Sequence, residues 1–463
     1  MAKQMELSSA DVVEGSNIRI QAPVEDDLRK HGIHIVLRGY LDSLRSIRET
    51  AGIVLPHLAG WMEKEIAGAE KLIDHYMPAG IRPDGIEFEN ARDFVEFSGA
   101  LQKWDRLQED RSLPLLSRSL FMQLFCEFDA FTGNLLKQVY LKNFDLLKGI
   151  SREISLVDLL EYKDIESASH AMLEKEIESF RRDSYIEQFA QLEKKFSLQL
   201  RKFPEWPQFV EFSQRRNLFA HNDGIVSDQY IAVCRREGCA LEDDVAVGVQ
   251  LSVSPVYLAN SLRVMSKIGY MLTHTLWRKI FPKEVEKVHD SLNAILYDCL
   301  EEKRWRTAAD IGEFALTEPM KRELKEVDLR VRLVNTAIAK KFSGDEAGAH
   351  GLLASVDWTA SYRDFKLALL VLHDRFDEAI TLMREIGKSG EMLGQSGYHT
   401  WPLFERFRER EEFYAVYEEI YGEPYKAESG DIAARVAAEA KKKRASVRKK
   451  SRREKAAKAA GEA

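Results

Sequence analysis

Residues 115–141, LLSRSLFMQLFCEFDAFTGNLLKQVYL, run without a proline and set apolar side chains three and four apart, a spacing that an α-helix gathers onto one face. The same spacing governs IVLRGYLDSLRSIRETAGIVL (35–55), and Pro56 is expected to interrupt or kink the helix just beyond it. It returns in SHAMLEKEIESFRRDSYIEQFAQLEKKFSLQLRKF (169–203), read as two helices, and in PVYLANSLRVMSKIGYMLTHTLWRKIF (255–281). With 12 prolines in 463 residues, little interrupts these patterns, and the chain is predicted to be mostly α. No run of 18 apolar residues exists, so no membrane span is expected. The polar, acidic opening has no apolar stretch of the kind a secretory signal needs.

Breaks in the pattern divide the chain into a flexible lead (1–27), an N-terminal helical region (28–110), a central segment (111–283), a repeat region (284–427) and a basic tail (428–463). MPAGIRPDGIEFEN (77–90) reads as a loop from its Pro and Gly residues. Within the central segment, Val245, Val247, Val249, Leu251 and Val253 alternate, which predicts a small β-hairpin. In the repeat region Trp305, Phe342, Phe376 and Phe413 are spaced 37, 34 and 37 apart, each followed by an alanine (Ala308, Ala347, Ala379, Ala415). An aromatic wedge with a small residue where two helices approach is the mark of stacked helical hairpins, and the pattern resembles a degenerate tetratricopeptide (TPR) array.

Charge is unevenly placed. Residues 441–463 carry 11 Lys/Arg against 2 Glu, so the −7 of the whole chain splits into +9 on this tail and −16 on the rest. Such a tail suits an anionic partner such as RNA, or a solvated fraying helix. Cys126, Cys234, Cys239 and Cys299 form no CxxC pair and have no nearby His partners, which fits free thiols in a reducing cytoplasm. His31, His34, His57 and His75 match no metal-ligand spacing, and no metal or cofactor is expected. The aromatics of KFPEWPQF (202–209) suit packing at a helix entry, or stacking of unpaired bases.

The stretch QRRNLFAHNDGIVS (214–227) carries the strongest chemical signal. Arginine stays charged and forks onto phosphate oxygens. Histidine titrates near neutrality and serves as base or acid. Asparagine donates to phosphate or fixes an imidazole tautomer. These types suffice to cleave RNA by attack of its own 2′-hydroxyl. R-x4-H alone is weak, and Arg29 with His34 matches it too; Arg216-Asn217, three residues, then His221-Asn222-Asp223-Gly224 at a helix end is much rarer. On a regular helix residues five apart point roughly 140° from one another. Arg216 and His221 are therefore expected to converge only where the helix unwinds at Asn-Asp-Gly, or across a dimer.

This motif resembles the signature of the HEPN superfamily, R-x4-6-H with a polar residue after the arginine, and the helices before it resemble the rest of that helical bundle. The fold expected is mostly α: a HEPN-like helical bundle with a small β-hairpin insertion, then TPR-like helical hairpins. The resemblance implies a metal-independent endoribonuclease of a toxin or phage-defence type, commonly dimeric, with Arg216, Asn217 and His221 as catalytic residues. It suggests Asn222 and a bracing carboxylate, Glu127 or Asp129, as support. Arg215, Arg235, Arg236 and the basic tail are expected to hold RNA. The partners expected are RNA, a second copy of the chain, and a protein on the TPR-like region. The alternative is a non-catalytic helical scaffold that dimerises and binds a protein or RNA.

Overall fold

The computed structural model describes residues 26–77, 88–149 and 154–425. All but the end of the expected lead (1–27), most of the expected loop (77–90) and the basic tail (428–463) lie outside the described residues. The described part is mostly α-helical and contains no β-strand. It falls into two compact units. The N-terminal unit comprises Val24–Ile295 with Glu313–Leu324; the C-terminal unit contains Leu296–Gly312 and the described residues from Lys325 onward. The described residues of 28–110 and of 111–283 thus share one unit.

The N-terminal unit is built on α1 (Gly32–Tyr76), α2 (Ala91–Gln108), α3 (Ser112–Lys142), α4 (Ile165–Arg182), α5 (Tyr185–Phe196), α6 (Trp206–His221), α7 (Asp228–Arg236) and α8 (Pro255–Ile280). α1 packs along α2, α3 and α8. It continues through Pro56 instead of stopping there, because that residue lies on the exposed face, where water can satisfy the carbonyl that proline leaves without an N–H partner. Tyr40 of α1 stacks on Phe131 (centroids 4.3 Å apart), and its hydroxyl donates to the Met265 carbonyl at 3.1 Å.

An aromatic ladder on α3 positions the elements that matter for function. Phe121, Phe125 and Phe128 recur every three or four residues and are fully buried. Phe125 meets Tyr185 of α5 at 5.6 Å, Phe128 meets Phe209 of α6 at 5.2 Å, and Phe209 meets Phe189 of α5 at 5.5 Å. Each such ring contributes about 1.5–3 kcal/mol by burial. Together they lock α5 and α6 against one scaffold helix.

The expected β-hairpin does not form. Residues 245–251 pair briefly with the segment after α6: Val226 N donates to Val249 O at 2.9 Å, Leu251 N to Gly224 O at 2.9 Å, and one isolated bridge joins Ile225 and Gln250. Gly248, at φ +90°, turns the chain in mid-segment. Val245 and Leu251 pack on the Leu218, Val226, Tyr230 and Cys234 cluster, while Val247 is 54% exposed, so the alternation does not describe a two-faced strand.

The C-terminal unit takes residues 296–301 of α9 (Val285–Glu301) and 305–312 of α10 (Trp305–Ala315), and comprises further α11 (Glu326–Phe342), α12 (Glu346–Leu353), α13 (Arg363–Leu372), α14 (Phe376–Ile386) and α15 (Glu411–Tyr421). α11 packs on α12 and α13, α13 on α14, and α14 on α15, giving successive helical hairpins. The repeated aromatics sit at junctions: Trp305 stacks on Phe342 at 4.8 Å and Phe376 on Phe407 at 5.7 Å. Ala308 and Ala379 are fully buried, as an approach point requires, but Ala347 and Ala415 are exposed and Ala349 takes the buried place in α12. Phe342 closes its helix whereas Phe376 opens one, so the repeat keeps its spacing and loses its register.

Candidate functional site

α6 opens on Trp206-Pro207 and stays helical through His221. Its end is tightly made. The N–H groups of Asn222 and Gly224 both donate to Leu218 O, at 2.8 and 3.1 Å, and Asn222 Nδ2 donates to Ile225 O at 2.6 Å. Asp223 and Gly224 take left-handed conformations, φ +46° and +81°. A Cβ on Gly224 would stand 2.8 Å from the Phe219 ring and 3.1 Å from Leu251 O, so the glycine answers both to φ and to a close approach. Arg118 of α3 completes the cap. It pairs with Asp223 Oδ1 at 2.6 Å, donates to the Phe219 carbonyl, and lies over the Phe219 ring at 5.2 Å. A guanidinium there meets an orphan carbonyl and the negative end of the helix dipole.

A buried carboxylate fixes the other side of α6. Glu211 accepts from Arg215 Nε at 2.8 Å, from the Tyr230 hydroxyl of α7 at 2.7 Å and from the Tyr257 hydroxyl of α8 at 2.7 Å. Arg215 also donates to Ser252 O at 3.2 Å and lies 4.0 Å over the Tyr257 ring. Its side chain is 11% exposed. The expectation that Arg215 holds RNA is therefore corrected: its charge is neutralised inside the protein, tying α6 to its neighbours.

Arg216, one residue on, points elsewhere. It lines a cavity of about 580 Å³ together with Asn217, His221 and Asn222 of the motif, Asp129 of α3, and Arg181, Arg182, Asp183, Ser184, Tyr185 and Gln188 around the start of α5. Arg216 Nη1 donates to Asn217 Oδ1 at 3.1 Å, while its Nε is buried with no hydrogen-bond partner. Asn217 thus steadies the guanidinium. His221 is exposed at the cavity edge. Arg216 and His221 of a single chain reach one cavity although α6 does not unwind until Asn222.

Of the two expected bracing carboxylates, only Asp129 faces the cavity. Its Oδ1 accepts from the Tyr185 hydroxyl at 2.7 Å. Burial raises its pKa above the ordinary carboxylate value, and the Tyr185 hydrogen bond and the charges of Arg216 and Arg181 pull part of the way back. Glu127 is corrected: two residues along α3 it turns away and accepts from Gln123 Nε2 at 2.7 Å. Arg235 and Arg236 are exposed at the end of α7 and do not line the cavity; Arg236 pairs with Glu237 at 3.0 Å. The histidines set aside as metal ligands are core groups where buried: His31 stacks on Trp277 at 4.3 Å and His34 Nδ1 meets Ser291 Oγ at 2.9 Å.

Sequence reasoning missed Arg181, Arg182, Tyr185 and Gln188. One local signal was there. Ser184-x-x-Glu187 forms a capping box, in which the serine side chain accepts from Glu187 N at 3.3 Å and the glutamate accepts from Ser184 N at 3.0 Å. That box starts α5 shortly after two arginines, which places their cations beside the positive end of the helix dipole.

Comparison with protein-family models, with curated proteins and with solved structures gives no match to this chain.

Proposed function

We propose that this chain is a HEPN-type endoribonuclease acting on single-stranded RNA. The observation that carries the reading is that Arg216 and an exposed His221 line one cavity, with Asn217 bonded to the arginine and further guanidinium groups alongside. In the proposed step an imidazole takes the proton of a 2′-hydroxyl. The oxygen attacks the adjacent phosphorus, the P–O5′ bond breaks, and O5′ leaves with a proton, giving a 2′,3′-cyclic phosphate and a 5′-hydroxyl. Arg216 balances the charge that builds on the phosphoryl oxygens. His221 serves as base or acid; a second copy of the chain, expected from the resemblance, would supply a second imidazole. Arg181 and Arg182 replace Arg215 as the groups that hold neighbouring phosphates. The helical hairpins of the C-terminal unit are read as a platform for a protein partner, and a toxin or phage-defence setting belongs to the same proposal.

The test is incubation of purified protein with a defined single strand in EDTA, with mapping of the ends. Wild type should yield cyclic-phosphate termini, and His221→Ala and Arg216→Ala should each reduce cleavage at least ~10²-fold, within the range for removal of an acid–base or charge-stabilising group. RNA that binds wild type but is cut equally by wild type and His221→Ala would leave the scaffold alternative standing.

A further inference from the structure

The end of α7 brings two cysteines together. Gly238, at φ +74°, follows its last turn, where the Gly238 N–H donates to Arg235 O at 3.2 Å and the Cys239 N–H to Cys234 O at 2.8 Å. This pair of bonds is the Schellman motif, which sets the residue after the left-handed glycine against the third-last residue of the helix. Here those two residues are Cys239 and Cys234. Cys234 belongs to the cluster of Leu218, Val226 and Tyr230, Cys239 packs against that cluster, and the two thiols are hydrogen-bonded to one another. Cys234 is fully buried and Cys239 half-buried, so a reagent meets the pair at Cys239. The hydrogen bond from Cys234 holds the Cys239 thiol below its ordinary value, while that shared bond and burial push Cys234 up. In its thiol form Cys239 also donates to Pro207 O, in the first turn of α6, at 3.0 Å.

We infer that Cys234 and Cys239 form a redox modification site: a hydroperoxide oxidises Cys239, and Cys234 resolves the product into an intramolecular disulfide. The Cys239 thiolate attacks one oxygen of hydrogen peroxide, the O–O bond breaks, and the hydroxide that leaves takes up a proton as water. The Cys234 sulfur then attacks the sulfenic acid on Cys239. The S–S bond forms, the S–O bond breaks, and the hydroxyl departs as water with the Cys234 proton. Two thiols have lost two electrons, and the peroxide has become two waters. A disulfide demands Cα atoms within about 7 Å of each other, and the closed turn supplies that closeness without moving the backbone far. The more acidic, half-buried thiol meets the oxidant and the buried one waits in contact with it, as an attacking and a resolving cysteine require. Oxidation removes the S–H that bonds Pro207 O, so the state of the pair is felt at the start of α6 as well as at the end of α7. The inference is independent of the nuclease reading.

The experiment is oxidation of the reduced, folded full chain with a small excess of hydrogen peroxide, quenching with iodoacetamide, and peptide mass mapping. Trypsin cuts at Arg235 and Arg236, between the two cysteines, so the disulfide is read as two joined peptides that separate on reduction. Wild type should give the Cys234–Cys239 linkage as its main disulfide, and dithiothreitol should restore both thiols. Dimedone, which captures sulfenic acid, should label Cys239 at least about tenfold more in Cys234→Ser than in wild type, because no resolving thiol remains. In Cys239→Ser the buried Cys234 should stay unoxidised at the same dose. Wild type that stays reduced, that carries Cys239 as sulfinic acid, or that joins either cysteine to Cys126, Cys299 or a second chain overturns the inference. Those outcomes need no variant, so a poorly folded serine variant does not shelter it. The same oxidation of urea-unfolded chain should scatter the linkages among the cysteines. A Cys234–Cys239 yield no higher in folded than in unfolded chain removes the turn as its cause and overturns the inference as well.

Discussion

Replacing Glu211 by leucine removes the acceptor shared by Arg215, Tyr230 and Tyr257. Burial, reinforced by the Glu211 charge, holds both phenols well above the ordinary tyrosine value, so they remain hydroxyl donors at every working pH. Without Glu211 a guanidinium with an 11% exposed side chain has no counter-charge, and two tyrosine hydroxyls lose their acceptor. Breaking a buried ion pair from one side costs about 3–5 kcal/mol, and each hydroxyl left without its partner adds about 1 kcal/mol. At about 2–4 °C per kcal/mol for a domain of this size, the melting temperature should fall by about 10 °C or more in scanning calorimetry of the full chain. The sign of a second substitution is the sharper test. Glu211→Leu with Arg215→Met removes the stranded charge, so the double variant should melt well above the single one. If the double variant melts at or below Glu211→Leu, the penalty does not come from an unpaired guanidinium, and the account of α6 anchoring is refuted.

Gly224→Ala should destabilise the protein by at least about 1–2 kcal/mol and lower the proposed RNA cleavage. Alanine adopts a φ of +81° only with strain, and the new methyl would press on Phe219 at the end of the site helix; a melt unchanged within about 1 °C would contradict this. His34 should make stability fall with acid. Burial depresses its pKa to about 4, whereas in the unfolded chain it titrates near 6.5. Between those values only the unfolded state takes up the proton, so up to about 3 kcal/mol is lost as pH drops from 6.5 toward 4, with no further loss from this group below that. His34→Gln should flatten that part of the pH–stability curve relative to wild type, measured by urea melts at about pH 7 and pH 4.5.

The helical class and the end of α6 were legible because both are written in local chemistry: apolar spacing for the first, Asn-Asp-Gly for the second. The hairpin was misread for a local reason as well. Five alternating apolar residues look like a strand, but Gly248 turns the chain and the partner is the short stretch after His221, distant in sequence. Asp129 and Glu127 were indistinguishable in sequence, since each is a lone carboxylate in an apolar helix. Two positions on a helix differ by about 200°, and only the packing of α3 on α5 decides which one meets Tyr185.

The paired arginines show why such a site resists reading from sequence yet makes physical sense once folded. Neighbours on a helix diverge by about 100°, so Arg215 and Arg216 cannot share a task. Arg215 is buried against Glu211 and Tyr257, and it holds the helix in rotation and register. Arg216 consequently presents its guanidinium to the cavity from a rigid element, steadied by Asn217. Under the proposed cleavage, a group that meets charge developing on phosphorus gains from being fixed beforehand, because no reorganisation is then needed when the charge appears. Conservative exchange at the two positions should therefore separate their roles. Lysine at 215 loses the fork onto Glu211 and Ser252 and should register chiefly as lost stability. Arg216→Lys keeps a positive charge but loses the bond to Asn217 and the fork suited to a phosphate, and should register chiefly as a loss of the proposed cleavage.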